Sequence, residues 1–292
     1  MIRSLKVFLS KWAVILLCSG LGILAFIRPF FTNSIEHQMG YANIRSSETP
    51  WMVVLAISLC VLVIIYEIQT QSVNTCIIAF MGMLVAINSS LRFLETAIPG
   101  PGGFSPIFFL IIMVGYVFGC NFGFLMGALT LIVSALITGG VGPWLPGQMF
   151  TAGWVGMSAP LIKPIISSLK MLFSKWNFNV EVASLAVFGA IWGLLFGAIM
   201  NLWSWPFISG PSNLYWAPGT GTTDTLYRYL TYYIMTSLTW DFCRSIGNIL
   251  LLLVFGAPVI KILNRFKNRF SFTYNVEMTS PNPNLIHTVR KT

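Results

Sequence analysis

The stretch that decides the fold reads PIFFLIIMVGYVFGCNFGFLMGALTLIVSALIT, residues 106–138. It contains no charged residue. Its two apolar runs, Pro106–Gly119 and Phe122–Thr138, meet at Cys120-Asn121-Phe122, where a tight turn is predicted. An uncharged segment of this length is typical of membrane helices. It predicts two helices that form a hairpin within a lipid bilayer.

Glycine recurs at intervals of four within this stretch and again further along the chain. Small residues at this spacing allow helix backbones to approach closely in lipid, where hydrophobic burial does not drive association. Both series therefore predict packing faces; the first serves the hairpin and the second lies within one helix. The two series are Gly115, Gly119, Gly123 and Gly127, and then Gly189, Gly193 and Gly197.

The whole chain shares this apolar character. Of its 292 residues, 56% are hydrophobic and 9% are charged, whereas about 25% charged residues is usual in soluble domains. We therefore expect an all-α, polytopic membrane protein with about eight transmembrane helices. Several runs are shorter than the ~20 residues that cross a bilayer, and these should extend into loops or lie inside the bundle. The predicted spans are Trp12–Phe31, Trp51–Ile68, Thr75–Phe93, Pro106–Gly119, Phe122–Thr138, Gln148–Ile165, Val182–Trp203 and Asp241–Leu263.

The basic residues predict which helix ends face the cytoplasm. The net charge is +9, but Lys and Arg separate the apolar runs and form no stripe, which argues against nucleic-acid binding. With the N-terminus inside, the inner segments hold twelve Lys and Arg and the remainder holds five, as the positive-inside rule favours. Both termini of this multi-pass protein of the cell membrane are then cytoplasmic. Residues 1–27 resemble a signal peptide, but the apolar run continues to Phe31, which predicts an uncleaved first helix.

Side chains that carry catalysis or bind metals are scarce. The five cysteines lie in or beside apolar runs without a CxxC pair, and the two histidines, His37 and His287, lie in a polar loop and in the tail. The sequence contains no HExxH, GxSxG or P-loop motif. We therefore expect no metal, no cofactor and no ATP hydrolysis by this chain. Uphill transport would need a partner or an ion gradient.

Asp241 and Arg244 form a charged pair within an apolar run, where ionisable residues cost about 2.5–3.5 kcal/mol each on insertion scales. Counting back from Lys261 at ~1.5 Å per residue places Asp241 at the outer boundary and Arg244 about one turn inside. Their spacing of three sets both on one helix face, which Asn248 continues. The pair either neutralises itself or forms a polar wall of a ligand cavity.

The topology brings further polar and aromatic residues, Glu95 among them, to the same outer level. A cavity lined by aromatic rings with a few convergent polar groups is what a small-molecule site requires. We therefore predict a pocket at the outer ends of the helices, lidded by residues 96–105 and 139–147. Alternatively, each polar group separately caps a helix end. The predicted substrate-binding residues are Arg92, Trp144, Gln148, Asn201, Asp241 and Arg244.

A third set of small residues, Gly82, Ala86 and Ser90, repeats at spacing four on the predicted span Thr75–Phe93. Such a set serves either internal packing or the docking of a partner subunit. Spacing alone does not separate these two uses.

The glycine-rich central region resembles a known family. Phe104-Ser105-Pro106 leads into the two glycine-spaced helices, and the run Gly142-Pro-Trp-Leu-Pro-Gly-Gln148-Met-Phe then precedes Ala152-Gly-Trp-Val-Gly156. This ordered set is similar to the substrate-binding S component of energy-coupling factor (ECF) transporters. The resemblance covers roughly residues 75–265 and is tightest over 99–160.

The resemblance implies a six-helix core that captures a vitamin or related micronutrient from outside. Such a core docks on a membrane coupling subunit driven by two ATP-binding-cassette ATPases, and Gly82, Ala86 and Ser90 stand where the family's docking motif would be. Residues 1–72 depart from the pattern as an added pair of helices before the core at 73–268. A disordered basic tail follows at 269–292. The many aromatic residues would suit a flat ligand such as a corrinoid, a flavin or a modified base.

Two other functions remain open. One is an intramembrane enzyme acting on lipid, with Asp241, Glu95 or Arg244 as acid–base or phosphate-binding groups. The lack of membrane histidines and of an acidic metal cluster argues against it. The other is a scaffold subunit without a ligand, built on the glycine faces. A small molecule retained by the purified protein would discriminate between these functions.

Overall fold

The computed structural model describes residues 17, 19–27, 54–55, 57–59, 61–62, 65, 75–97, 102–172, 179–207, 214–216 and 220–270. Regular structure within these ranges is helical, which confirms the all-α class. From Thr75 onward the described α-helices are α1 (Thr75–Ala97), α2 (Ile107–Phe118), α3 (Cys120–Thr138), α4 (Leu145–Ser158), α5 (Lys163–Leu172), α6 (Val180–Ser204), α7 (Thr222–Thr236) and α8 (Leu238–Phe270). Two 3₁₀-helices, Ala159–Ile162 and Trp205–Phe207, adjoin α4 and α6.

Within the described residues, three helices are long and apolar enough to cross a membrane: α3, α6, and α8 as far as Arg269. Helices α1 and α2 contain shorter apolar segments, Ile77–Phe93 and Ile107–Phe118. These lengths support a membrane protein, whereas the predicted number of about eight crossings stays a prediction. Much of Trp12–Phe31 and of Trp51–Ile68 lies outside the described residues, as does the predicted tail from residue 271 onward.

Helix α2 forms the centre of the bundle. It has 12 residues and is therefore about 18 Å long, too short to cross a ~30 Å hydrocarbon core. All but the last of its residues are buried, and it contacts α3, α4 and α8. An apolar helix without a polar face has no side to present to water. Its short length is tolerated because other helices, not lipid, surround it.

The predicted glycine packing is confirmed, with one boundary corrected. A Cβ on Gly115 or Gly123 would collide with the backbone of Gly156 on α4, so α2, α3 and α4 meet at backbone distance. The predicted turn at Cys120-Asn121-Phe122 is wrong by about one residue, because α3 already begins at Cys120. The chain reverses at Gly119, whose φ of +109° is a conformation that L side chains rarely adopt.

Two prolines divide the predicted span Gln148–Ile165, which is not one helix. Helix α4 ends at Ser158, the 3₁₀-helix contains Pro160, and α5 begins at Lys163 with Pro164 as its second residue. Proline lacks the N–H that a continuous α-helix requires and favours helix starts. The short α5 that results places Ile165 and Met171 at the surface beside Lys163 and Lys170.

The described part of the N-terminal region packs on this bundle. The ring of Phe26 lies 4.7 Å from that of Trp203 and 5.6 Å from that of Trp154. Gly22 lies so close to Trp154 and Phe150 that a Cβ there would collide with both rings. The helical segment 19–27 therefore packs against α4 and the end of α6.

Residues predicted to lie on the cytoplasmic side contact one another at one end of the helices. Residues predicted to lie outside contact one another at the other end. At one end, Lys267 Nζ lies 2.7 Å from the Val117 carbonyl oxygen, and the rings of Phe80 and Phe266 are 4.7 Å apart. At the other end, Trp203 Nε1 donates to the Pro143 carbonyl oxygen at 3.1 Å. Which of these two ends faces the cytoplasm stays a prediction.

Candidate functional site

A polar seam runs between α6 and α8, and glycine makes it possible. A Cβ on Gly193 would collide with Ser245, and a Cβ on Gly197 would collide with the Asp241 carboxylate. Without those side chains, polar groups of α8 reach the backbone of α6. Ser245 Oγ donates to the Ala190 carbonyl at 2.8 Å. The second glycine series is therefore a packing face, as predicted, and it packs against polar side chains.

Asp241 and Arg244 form an ion pair on the side of α8 that faces α6. The Asp241 residue is only 1% exposed, so the pair lies where water does not screen its charges. The Arg244 guanidinium also approaches the Gly193 carbonyl at 3.4 Å. It lies over two aromatic rings, 5.9 Å from the centroid of Phe108 and 5.3 Å from that of Phe196. Such cation–π contacts further favour the charged form in an apolar setting.

Hydrogen-bonding capacity remains unused along this seam. Asn248 Nδ2 donates to the Gly189 carbonyl at 2.8 Å, yet Asn248 Oδ1 is buried without a partner among the described residues. Arg244 Nε is likewise buried and unpartnered in the described part of the chain. A buried polar atom left unpaired costs about 1–3 kcal/mol. A ligand or a water molecule that supplied the missing partners would recover that free energy.

A second group of polar side chains lies beside the ion pair. Arg92 donates to Gln148 Oε1 at 3.3 Å, which links α1 to α4. Ser105 Oγ donates to Glu95 Oε2 at 2.8 Å. Arg92 and Glu95 both interact electrostatically with Arg244. We call Arg92, Glu95, Ser105, Gln148, Asp241 and Arg244 the polar cluster.

The polar cluster is balanced in charge. Its two arginines are matched by one aspartate and one glutamate, so it holds no large net charge in the apolar bundle. Its residues come from α1, α4, α8 and the segment before α2. A balanced set of charges from separate helices is a fixed arrangement of dipoles, which suits recognition of a polar, uncharged or zwitterionic group.

Of the six predicted substrate-binding residues, four are brought together. Arg92, Gln148, Asp241 and Arg244 belong to the polar cluster. Asn201 donates to Ser237 Oγ at 2.7 Å and thereby ties α6 to the junction of α7 and α8. Trp144 is 48% exposed and its ring lies against Gly142, so it stands at the surface where α4 begins.

The two predicted lids are each attached to neighbouring helices. In the first lid, Gly102 and Gly103 lie so close to Trp240 of α8 that a Cβ on either would collide with it. Residues 98–101 of that lid lie outside the described residues. In the second lid, the Pro143 carbonyl accepts the bond from Trp203 on α6.

Helix α7 is a structural element that the sequence analysis missed. Tyr229, Tyr232 and Tyr233 share the face that is directed at the bundle, and Tyr233 donates to the Leu194 carbonyl of α6 at 3.4 Å. Tyr229 donates to the Ala198 carbonyl of α6. Burial, followed by the negative charge of Asp241, raises the pKa of Tyr233 to about 12. The spacing of these tyrosines at steps of three and four was the available signal.

Comparison with known proteins returns no match: neither a protein-family model, nor a curated protein, nor a solved structure is significantly similar to this chain. The function is therefore inferred from the geometry of the chain's own residues. Within the described ranges, no group of three His, Cys, Asp or Glu side chains is placed to hold a metal ion.

The small-residue face of α1 points away from the bundle. Gly82, Ala86 and Ser90 are all exposed, and a Cβ on Gly82 would meet no atom within 4 Å. Ser90 Oγ donates to the Ala86 carbonyl at 2.9 Å, within its own helix. Internal packing among the described residues does not use this face, and its predicted use in docking stays a prediction.

Proposed function

We propose that this protein is the membrane-embedded, substrate-capture subunit of an ATP-driven importer of the energy-coupling factor type. The observation that carries the proposal is the polar cluster: two balanced pairs of charges, from α1 and α8, converge with the uncharged Ser105 and Gln148 at one end of an otherwise apolar bundle. Charges are costly in such a setting and mark substrate or ion pathways in membrane proteins. Within this cluster, Arg244 Nε is buried without a partner among the described residues, and a bound solute would accept its hydrogen bond.

The proposed orientation places the polar cluster at the extracellular face. We propose about eight transmembrane helices in the cell membrane, with both termini in the cytoplasm, on the distribution of Lys and Arg. The solute would then enter past Trp144 and the lids at residues 96–105 and 139–147. Asn201 would support the site from α6 through its bond to Ser237.

The proposed substrate is a vitamin or related micronutrient with a flat, partly apolar body. Phe108 and Phe196 pack edge to face, with ring centroids 4.7 Å apart, and both lie beside the Arg244 guanidinium, where they would form an apolar wall for such a body. The polar cluster would pair with its amide, hydroxyl or carboxylate groups. A corrinoid, a flavin and a modified base each combine these two characters.

The proposed partner is a membrane coupling subunit that carries two ATP-binding-cassette ATPases. This chain has no P-loop, so uphill transport would need a partner or an ion gradient, and we propose the partner. The exposed face of Gly82, Ala86 and Ser90 is the proposed docking surface, because small residues permit close approach of a second helix in lipid. Exposed Met83 and Ile87 flank it with apolar surface.

The experiment is identification of the solute that the protein retains. The full chain is purified in detergent, and the bound small molecules are released and identified by mass spectrometry. Arg244→Ala should lose the solute. Arg265→Ala, at the exposed opposite end of the same helix, should retain it. Absence of any stoichiometric small molecule, together with equal behaviour of the two variants when candidate solutes are added, would contradict the proposal.

A further inference from the structure

An apolar groove lies on the surface between α5 and the first half of α6, away from the polar cluster. It encloses about 490 Å³, a volume typical of small-molecule sites. One wall is formed by Leu161, Ile165 and Leu169, and the other by Ala183, Val187 and Ile191. The second wall is one stripe of α6, because its residues repeat at intervals of four; the first begins at Leu161 in the 3₁₀-helix and continues along α5.

The length of the groove matches one leaflet of a bilayer. Along α6 its lining runs from Val180 to Ile191, which is about 16 Å at 1.5 Å per residue. The hydrocarbon core of a bilayer is about 30 Å thick, so one leaflet contributes about half of that. The groove begins where α6 begins, at the end of the bundle predicted to face the cytoplasm.

Basic side chains surround that end of the groove. Lys170 Nζ and Glu181 Oε2 are 2.6 Å apart, and Tyr116 donates to Glu181 Oε1 at 2.7 Å. Lys163 interacts electrostatically with Glu181 and lies 5.2 Å from the Tyr116 ring centroid. Lys267 is close enough to Lys163 to interact with it. Lys163 and Lys170 against one glutamate leave this end positive, whereas the walls of the groove carry no charged residue.

We infer that the groove binds an anionic phospholipid of the inner leaflet. One acyl chain lies between Ile165 and Val187, and the headgroup phosphate lies at Lys163 and Lys170. Glu181 holds the Lys170 ammonium in place without cancelling the local positive charge. A helix of a partner protein fits less well, because a helix is about 10 Å wide with its side chains and would gain nothing from a groove that ends after one leaflet.

The amphipathic character of α5 supports this assignment. Its apolar residues Ile165 and Met171 are exposed, and Lys170 lies in its last turn. Short helices of this kind lie in the membrane interface, with basic residues at the headgroup level. A lipid bound between α5 and α6 would fix α5 against the bundle and would act independently of the solute site.

The test is native mass spectrometry of the full chain released from detergent, with added phosphatidylglycerol or phosphatidylcholine carrying identical acyl chains. We expect retention of phosphatidylglycerol over phosphatidylcholine, by about fivefold for each lysine that contacts the headgroup. Lys170→Gln should lower this preference, and Lys170→Arg should keep it. Lys261→Gln, an exposed lysine of α8 outside the groove, should behave as the unmodified protein.

A second variant tests the acyl-chain groove itself. Ala183→Phe should fill it and reduce retention of both lipids, whereas Leu195→Phe, which places the same ring on exposed α6 surface beyond the groove, should not. Melting temperatures show whether each variant is folded. Equal retention of the two lipids by the unmodified protein, undiminished retention by folded Ala183→Phe, or displacement of the lipid by inorganic phosphate would overturn the inference.

Discussion

Gly197 of α6 faces the carboxylate of Asp241 on α8, with no room for a Cβ between them. This contact joins the second glycine series to the buried ion pair. Because the Asp241 carboxylate occupies the space of the missing side chain, α6 and α8 can pack closely with charges between them. The same residues therefore decide both helix packing and the position of Arg244.

Gly197→Ala should destabilise the protein. The added methyl displaces Asp241 and separates it from Arg244, and overpacking of this kind costs about 1–3 kcal/mol. We expect a lower melting temperature in detergent. Gly82→Ala is the control, because a Cβ there meets no atom within 4 Å. Equal melting temperatures for the two variants would show that α8 moves freely to accommodate the methyl.

Trp144→Ala should weaken solute binding without lowering stability. Its ring is half exposed and lies against Gly142, so its removal costs little packing, but the ring is available to stack on a ligand. We expect about ten- to hundredfold weaker binding, equivalent to about 1–3 kcal/mol. The measurement is solute affinity of the detergent-solubilised protein, with melting temperature in parallel.

Trp203→Ala is the contrasting variant. Trp203 is 4% exposed and donates a hydrogen bond to the Pro143 carbonyl. Its removal should therefore lower the melting temperature. If Trp144→Ala binds normally while folded, the solute does not pass this part of the surface.

Asp241→Asn and Arg244→Ala separate the two roles open to the ion pair. Removal of one partner of a buried pair leaves the other charge or hydrogen-bonding group uncompensated, so both variants should be less stable. If the pair also binds the solute, the folded fraction of each variant should bind it about tenfold or more weakly. Unchanged affinity in the folded fraction would make the pair a structural ion pair alone.

Gly82→Leu and Ala86→Leu should abolish transport and leave solute binding intact. Both positions are exposed on α1, so a larger side chain is tolerated by the bundle but prevents close approach of a second helix. Uptake in cells and binding to the isolated protein are measured together. Ile87→Leu, at a neighbouring exposed position of equal size, is the control. Normal uptake by both variants would exclude this face as the docking surface.

Labelling of introduced cysteines tests the orientation. Val141→Cys, at an exposed position in the second lid, should react with an impermeant reagent in intact cells. Ser168→Cys, exposed on α5, should react only after the membrane is permeabilised. The unmodified chain corrects for native cysteines. The reverse pattern would place the polar cluster on the cytoplasmic side and remove the basis for extracellular capture.

Part of the candidate site follows from local spacing. Asp241 and Arg244 share a helix face because they are three residues apart, and any helix through both would place them so. Their depth followed from counting residues back from Lys261. By contrast, the bond from Arg92 to Gln148 joins residues 56 positions apart. No local pattern selects that partner, because it depends on how α1 and α4 cross.

The elements missed or misjudged from the sequence share one physical cause. The apolar content of a segment predicts that it is buried or inserted in a membrane, but it does not predict where a helix ends within the bundle. Pro160 and Pro164 therefore separated α4 from α5 within one apolar run, and the tyrosine-rich α7 was overlooked because its mean apolar content is low.

Composition and glycine spacing by themselves determined that this chain is an all-α protein suited to lipid and that its helices pack through small residues. Both are local properties. The free energy of transferring a side chain out of water, and the size of that side chain on a helix face, depend on the individual residue. Only the tertiary structure decided that α2 lies at the centre, that the α1 face stays uncovered, and that α5 and α6 form a groove. These depend on helix crossings, which are set jointly by residues far apart in the chain.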